Sequence, residues 1–411
     1  MPSIGHLVPL LVAAGILLAG NGIQGTLVTL RADAEGFSSI AIGLIGTAYF
    51  AGFAVSCILT PRLIRSVGHI RVFAALATIA AAGTLSLVLI IDPYVWVAIR
   101  FAMGFCFSGL FMVMESWLNA SSRNTDRGRV FSIYRLVDLG AVAGTQFLLP
   151  LFGIGGFELF AITAIFFSLS LVPVSLADRS SPKPPRQFNF SLKDVWVISP
   201  LGCLGCLTLG LTNASFRLIG PLYAERMELD TAQIATFIAL NIIGGALLQY
   251  PLGYLSDRYD RRWLVIVATL GAAVAGLYLA WVPPGAVNAI YFGAFVFGAF
   301  AIPLYSLSVA HANDRAHASQ YVQVAAGLLF IYAIGASIGP FVGSLVMEQF
   351  GASAFFAYTS LMHASLIFAT LIRMVKRPRV SKEARERFAM LLRTSPMIAK
   401  LATRNGVPPR T

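Results

Sequence analysis

Five residues carry formal charge within stretches that are otherwise as apolar as a lipid tail: Arg100, Glu115, Arg135, Asp138 and Arg217. A charge at the centre of a bilayer costs roughly 2.5–3.5 kcal/mol on insertion scales, so five facing lipid would cost more than about 12 kcal/mol. They must therefore face an interior, where buried charge serves ion pairing, proton relay or anion binding. Glu115 lies nine positions before Asn124, the centre of the polar loop "ASSRNTDRGR", and Arg135 lies eleven after it. At about 1.5 Å per residue the two depths agree within about one turn, which predicts a Glu115–Arg135 ion pair between antiparallel helices. Asp138 follows Arg135 by three residues on the same helical face and competes for the same guanidinium. Two carboxylates around one Arg leave one of them easy to protonate, because the second ionisation lacks a partner. The trio is thus either a proton switch or a charged glue between two helices.

Arg100 has no acidic partner within its own apolar run, so it invites an anionic ligand, Asp92 or a carbonyl. Arg217, beside Asn213, either binds an anionic group or snorkels outward. Uncharged polar residues form a second layer: Asn21, Gln24, Gln146, Asn241, Gln249, Tyr305, Ser306 and Gln323. Any one of them is more often an interhelical hydrogen bond than a ligand contact, but together they suit a modest polar cavity.

The elements that must position these groups follow from composition. Of 411 residues, 57% are hydrophobic and 12% charged, and the mean hydropathy is +0.77. No soluble surface can be assembled from so few polar residues. Twelve apolar runs, centred near residues 18, 49, 81, 106, 140, 166, 210, 243, 272, 299, 331 and 363, each supply the roughly 20 residues that span a bilayer as a helix. Segments such as "ALATIAAAGTLSLVLII" are continuously apolar, without the two-residue alternation of a β-barrel. The first run lacks a basic flank and a cleavage site and is expected to be a retained helix. Four Cys (57, 106, 203, 206) fall within apolar runs; Cys203 and Cys206 are assigned to helix packing.

Lys and Arg concentrate in alternate loops: Arg62, Arg65 and Arg71; Arg123, Arg127 and Arg129; Arg179, Lys183, Arg186 and Lys193; Arg258, Arg261 and Arg262; and Arg315. The other loops hold only Arg31 and Arg226. Basic loops stay cytoplasmic, which predicts a multi-pass protein of the bacterial inner membrane with both termini inside. The net charge of +12 is therefore no nucleic-acid signal. Eleven Lys/Arg from Arg373 to Arg410 would face anionic lipid, and "SKEARERFAMLLR" has the pattern of a helix lying in the interface.

The Pro- and charge-rich stretch "ADRSSPKPPRQFNFSLKD" divides the runs six and six. The expected organisation is an N-terminal six-helix bundle (1–176), a linker (177–197), a C-terminal six-helix bundle (198–374) and a basic tail (375–411). The halves repeat: "PRLIRSVGHIRVF" is answered 192 positions later by "GYLSDRYDRRWLV", and Asp126-Arg127 188 positions later by Asp314-Arg315.

On these residues the chain resembles a major facilitator superfamily transporter over its whole length up to the tail. That family carries a pattern close to G-x-L-A-D-R-x-G-R-R, matched here by Gly253, Leu255, Asp257, Arg258, Arg261 and Arg262, with Asp260 in place of the second Gly. The N-terminal copy keeps Leu63 and Gly68 but has Pro61 for the first Gly and Arg65 for the acid. The resemblance implies an all-α fold of two pseudo-symmetric six-helix bundles. It also implies a cytoplasmic gate formed by Asp257, Arg258, Arg261, Arg262, Gly68 and Arg127, in which Asp257 caps a helix of the opposite half. Arg100 and Gly104 match the family's R-x-x-x-G, associated with proton coupling; Gly140 and Gly144 match half of the G-x-x-x-G-P of drug antiporters, with Thr145 in place of Pro. The wording "PRLIRSVGHIR", "ESWLN" and "RGRVFSIY" is similar to a poorly characterised bacterial subgroup labelled sugar-transporter-like.

No G-x-x-x-x-G-K-[ST] or H-E-x-x-H occurs, so neither ATP nor a zinc-enzyme constellation is indicated, and no cofactor is implied. The expectation is a monomeric secondary transporter that moves a small solute by alternating access, coupled to protons. Amphipathic-compound efflux and a non-transporting, substrate-sensing receptor are the alternatives.

Overall fold

The computed structural model describes residues 7–122, 127–176, 191–317 and 320–376. The expected linker up to residue 190 and the basic tail from 377, with its interfacial-helix motif, lie outside them. Among the described residues, twelve helices are long and apolar enough to cross a membrane, and each contains one of the twelve predicted centres. They are α1 (Val8–Ala34), α2 (Ser39–Val67), α3 (His69–Leu89), α4 (Pro93–Ser121) and α5 (Arg127–Thr145, continued by Leu148–Phe152). There follow α6 (Glu158–Leu176), α7 (Pro200–Arg226), α8 (Thr231–Arg258), α9 (Arg261–Trp281), α10 (Val287–Asn313), α11 (Tyr321–Phe350) and α12 (Ala352–Lys376). A short helix, Leu192–Ile198, precedes α7 and is capped by Ser191, which accepts from Asp194 N at 3.3 Å.

Helices are the local solution because lipid offers no partner for backbone N–H and C=O, and the chain stops them where polar caps occur. Asp92 accepts from the amides of Tyr94 and Val95 at the start of α4, and Asp230 with Gln233 forms a capping box on α8. Gly68 closes α2 at φ +85°, a left-handed conformation open to Gly and strained for other residues. With an even number of crossings, the starts of α1 and α7 and the end of α12 share one face, called here the near face; the other is the far face.

The duplication read from the loops recurs in the packing. Helix α4 crosses α2 so closely that a Cβ on Gly104 would strike the Tyr49 carbonyl and one on Gly52 the Phe101 carbonyl. Helix α10 crosses α8 in the same way, Gly298 against the Asn241 carbonyl and Gly244 against that of Phe295. The α2 members of these contacts precede their α8 counterparts by 192 positions, the α4 members their α10 counterparts by 194. Small residues at a crossing let backbones approach, and dispersion then replaces the hydrophobic drive that lipid does not provide. Likewise α3 packs on α6 as α9 does on α12, and α1 on α5 as α7 does on α11.

The halves meet through α2 against α11, α1 against α7 and α5 against α8. Several specific contacts lie toward the far face. Thr47 donates to the Ser337 carbonyl at 2.6 Å, Thr29 to that of Leu218 at 2.7 Å, and Arg226 pairs with Asp33 at 2.7 Å. Gly43 and Gly46 let α2 press against Ser344 and Pro340 of α11. The far end of the seam is thus sealed.

Candidate functional site

Among the described residues, three of the membrane-spanning helices are interrupted. Helix α7 contains a π-helical turn, Gly210–Ala214; α10 breaks at Ile302–Pro303; and α5 turns at Gln146–Phe147. Such breaks leave backbone and polar side chains directed into a bundle interior, and π turns recur at functional sites. Gln146 repairs the α5 break, donating to the carbonyls of Val142 and Gly22 and accepting from Thr26 Oγ1 at 2.8 Å. It joins α5 to α1.

At mid-depth, α1, α2, α4 and α7 converge on a cavity of about 10 Å³, the room one water molecule needs. Its walls include Asn21, Gln24, Tyr49, Phe50, Arg100 and Arg217. Arg100 is 2% exposed; its Nη1 donates to Gln24 Oε1 at 3.1 Å and its guanidinium carbon lies 4.3 Å over the Tyr49 ring. Gln24 in turn donates to Thr84 Oγ1 at 3.0 Å, and Tyr49 donates to Asn21 Oδ1 at 3.0 Å. Arg217 reaches across from the second half and donates to the Asn21 carbonyl at 3.0 Å. The π turn precedes Arg217 by one helical turn, so the distortion helps set where the side chain emerges.

A second polar cluster lies nearer the near face. Arg135 bonds Asp138 at 2.7 Å and donates to Gln249 of α8 at 3.4 Å, while Gln249 donates to Ser306 of α10 at 3.2 Å. The side chains of Arg135 and Asp138 are 13% and 15% exposed and Glu115 is fully buried, so none of the three is turned to lipid. A carboxylate three residues along the same helix reaches the guanidinium without depending on how α4 is rotated.

Four residues expected in the cavity are not among its walls: Gln146, which joins α5 to α1 as described above, and Asn241, Tyr305 and Gln323. Asn241 donates to the Ala294 carbonyl within the α8–α10 crossing at 3.3 Å, Tyr305 packs on Tyr332 with ring centroids 5.9 Å apart, and Gln323 donates to Asp194 at 3.2 Å. Gln323 falls in the first turn of α11, at the near face, too shallow for a mid-membrane site. Tyr49 and Phe50 went unnoticed in the sequence because aromatics in an apolar run carry no distinguishing mark. The signal that could have found Tyr49 was its alignment with polar Asn241, 192 positions on.

Of the gate residues, Arg261 bonds Asp257 at 3.1 Å and Asp314 at 3.2 Å, joining the ends of α8 and α10 to the start of α9 within one half. Asp257 thus has one partner within its own bundle. Arg262 pairs with Asp260 at 2.7 Å and Arg258 lies over Tyr254. The side chain of Arg127 lies outside the described residues.

The far-face seal carries a first prediction. A Cβ on Gly46 would stand 2.7 Å from Leu218 and 3.2 Å from Pro340, so Gly46→Leu should drive α2 from α11. Overpacking of about 1–3 kcal/mol, applied to the sealed state alone, shifts its population about tenfold or more. Three native Cys are buried and Cys57 half-buried, so a cysteine placed at Asn21 gives a clean signal. Its labelling by a water-soluble maleimide from the far side should accelerate accordingly; an unchanged rate would show that the helices slide without opening.

Comparison with known proteins follows the same lines. The family model described as Major Facilitator Superfamily matches residues 10–246 and 202–407. An uncharacterised MFS-type transporter of Yersinia pestis is 28% identical over 385 residues, covering 90% of this chain and 95% of the relative. Among solved structures, the nucleoside transporter NupG superposes with TM-score 0.73 at 15% identity, over 89% of this chain and 98% of NupG. A bacterial homologue of the human lysosomal transporter Spinster, inward-facing and occupied, superposes with TM-score 0.72 at 15% identity, over 92% of this chain and 97% of that one.

Proposed function

We propose, for a chain that belongs to the major facilitator superfamily and is a multi-pass bacterial membrane transporter, that it moves a small organic solute by proton-linked alternating access. The observation that carries this reading is one polar cavity, at mid-depth, to which both repeats contribute: Arg100 with Gln24 from the first, Arg217 from the second. A site shared by two pseudo-equivalent bundles can be exposed to either side by rocking one bundle against the other. The far face is sealed, which leaves the near face as the proposed route of access. The positive-inside distribution makes the near face cytoplasmic and the membrane the inner one. The pathway lies within one chain, so the monomer suffices.

Asp138 is the proposed proton carrier. It holds Arg135 by an ion pair, and Arg135 also reaches Gln249 of the other half. Protonating Asp138 removes the charge that holds Arg135, and the freed guanidinium strengthens or rearranges its contact across the seam. Proton binding thereby biases the rocking equilibrium. Buried Glu115 supplies a second carboxylate at comparable depth.

Proteoliposomes with an entrapped pH dye test this reading. An external solute should move protons in the wild type. In Asp138→Asn, solute exchange should persist while proton movement falls by about tenfold or more, the effect of losing a positioned proton carrier. Glu115→Gln should reduce it less. Unchanged proton movement in both variants would remove the switch.

A further inference from the structure

The cavity holds two guanidinium groups and no carboxylate. Among the described residues neither Arg100 nor Arg217 forms an ion pair; their hydrogen bonds go to the Gln24 amide oxygen and the Asn21 carbonyl. Arg100 Nε is buried and has no hydrogen-bond partner. A buried cation is ordinarily paired, because neutral acceptors replace its hydration only in part. Here two cations share one water-sized space at mid-depth, and the face of Tyr49 stands in for the missing counter-charge of Arg100. Such an arrangement repels cationic solutes and gives neutral ones nothing that demands two arginines.

We infer that Arg100 and Arg217 form an anion clamp, closed by one arginine from each repeat, and that the solute is an organic acid held by its carboxylate. The inference rests on the carrier reading for its role in transport, though not for binding. Guanidinium matches carboxylate in planar, two-pronged fashion, and Arg100 retains an unused N–H for it. Tyr49 and Phe50 line the same space, so the rest of the solute is uncharged and lies against aromatic rings. The cavity has room for one water and not for such a solute, so binding draws the walls apart. The bound carboxylate then links the two repeats, bridging Arg100 of α4 to Arg217 of α7. A carboxylate moved with protons also carries less net charge across the membrane, which fits the proposed coupling.

The test is thermal stabilisation of the purified full-length protein by matched probes: lactate, succinate, benzoate and salicylate, each against its primary amide, with phenyl phosphate as the phosphoryl arm. At least one acid should stabilise where its amide does not. Its apparent affinity should fall at least tenfold in Arg100→Gln and in Arg217→Gln, recover partly in Arg100→Lys, and stay unchanged in Arg71→Gln, whose side chain is exposed in the first turn of α3, at the near face. Should Arg100→Gln fail to fold, Arg217→Gln and Arg100→Lys carry the comparison. Preference for amides, preference for phenyl phosphate over every carboxylate, a panel in which no acid outperforms its amide, or equal affinity in the glutamine variants would each overturn the carboxylate clamp. Counterflow of the stabilising acid in proteoliposomes separates the two claims: an acid bound through both arginines yet never exchanged would sink the carrier reading and leave the clamp intact.

Discussion

Alanine at Gly104 is expected to destabilise the protein by about 3 kcal/mol or more, and leucine there to prevent folding of the first half. The added Cβ would overlap the Tyr49 carbonyl, and backbone on both sides of the crossing leaves no flexible side chain to yield. Tyr49 is also the ring under Arg100, so displacing α2 from α4 dismantles one wall of the cavity together with the crossing. Gly298→Ala should behave alike, because its Cβ would meet the Asn241 carbonyl at the equivalent place in the second half. Gly140 and Gly144 supply the contrast: a Cβ on either meets nothing within 4 Å. Alanine at those two should be neutral or stabilise by up to about 1 kcal/mol each, the helix preference of Ala over Gly. Thermal unfolding in detergent, read by tryptophan fluorescence, separates the groups. Wild-type stability in Gly104→Ala would show that the helices can part without loss. The same comparison bears on the half-matched G-x-x-x-G-P, whose two glycines make no close helix contact here.

Replacing Arg261 by Met is expected to cost about 3–5 kcal/mol, the usual penalty for removing one member of a buried ion pair. Its side chain is 1% exposed, between Asp257 and an Asp314 carboxylate that is itself 3% exposed. Without the guanidinium, Asp314 stays buried with its charge less well compensated, and the ends of α8 and α10 lose their link to the start of α9. Asp314→Asn should cost less, because an amide keeps part of the hydrogen bonding. The double variant should be milder than the sum of the two singles by a coupling of about 0.5–3 kcal/mol. Added salt should barely change the wild-type stability, since a pair this buried is poorly screened. Additive losses, or a strong salt dependence, would mean that the link is a surface contact of little weight.

The sequence by itself determined the twelve crossings, the division into two repeats and the inward orientation of the charges. Each follows from a constraint that acts locally. A backbone in lipid must close its own hydrogen bonds, which leaves helices of about bilayer length, and a charge in such a helix must find an interior. The 192-position repeat was visible in the loops, and the crossings of α2 with α4 and α8 with α10 carry it into the core. Tertiary structure alone decided which partner each charge takes. Helices apolar on every side give no periodicity from which to read their rotation, and an error of one residue turns a side chain by about 100°. Depth matching brought Glu115 and Arg135 to one level and the three-residue spacing made Asp138 a competitor, and only the packed structure shows Arg135 bonded to Asp138. Depth matching also left Asn241 and Gln323 as cavity candidates when one bonds inside a crossing and the other at the near face. Arg100 and Arg217 meet across the seam because glycines set how close α2 lies to α4 and α11, and because a π turn shifts the register of α7 just before Arg217. Those distances are properties of packed surfaces 117 positions apart in the chain, and no local pattern encodes them.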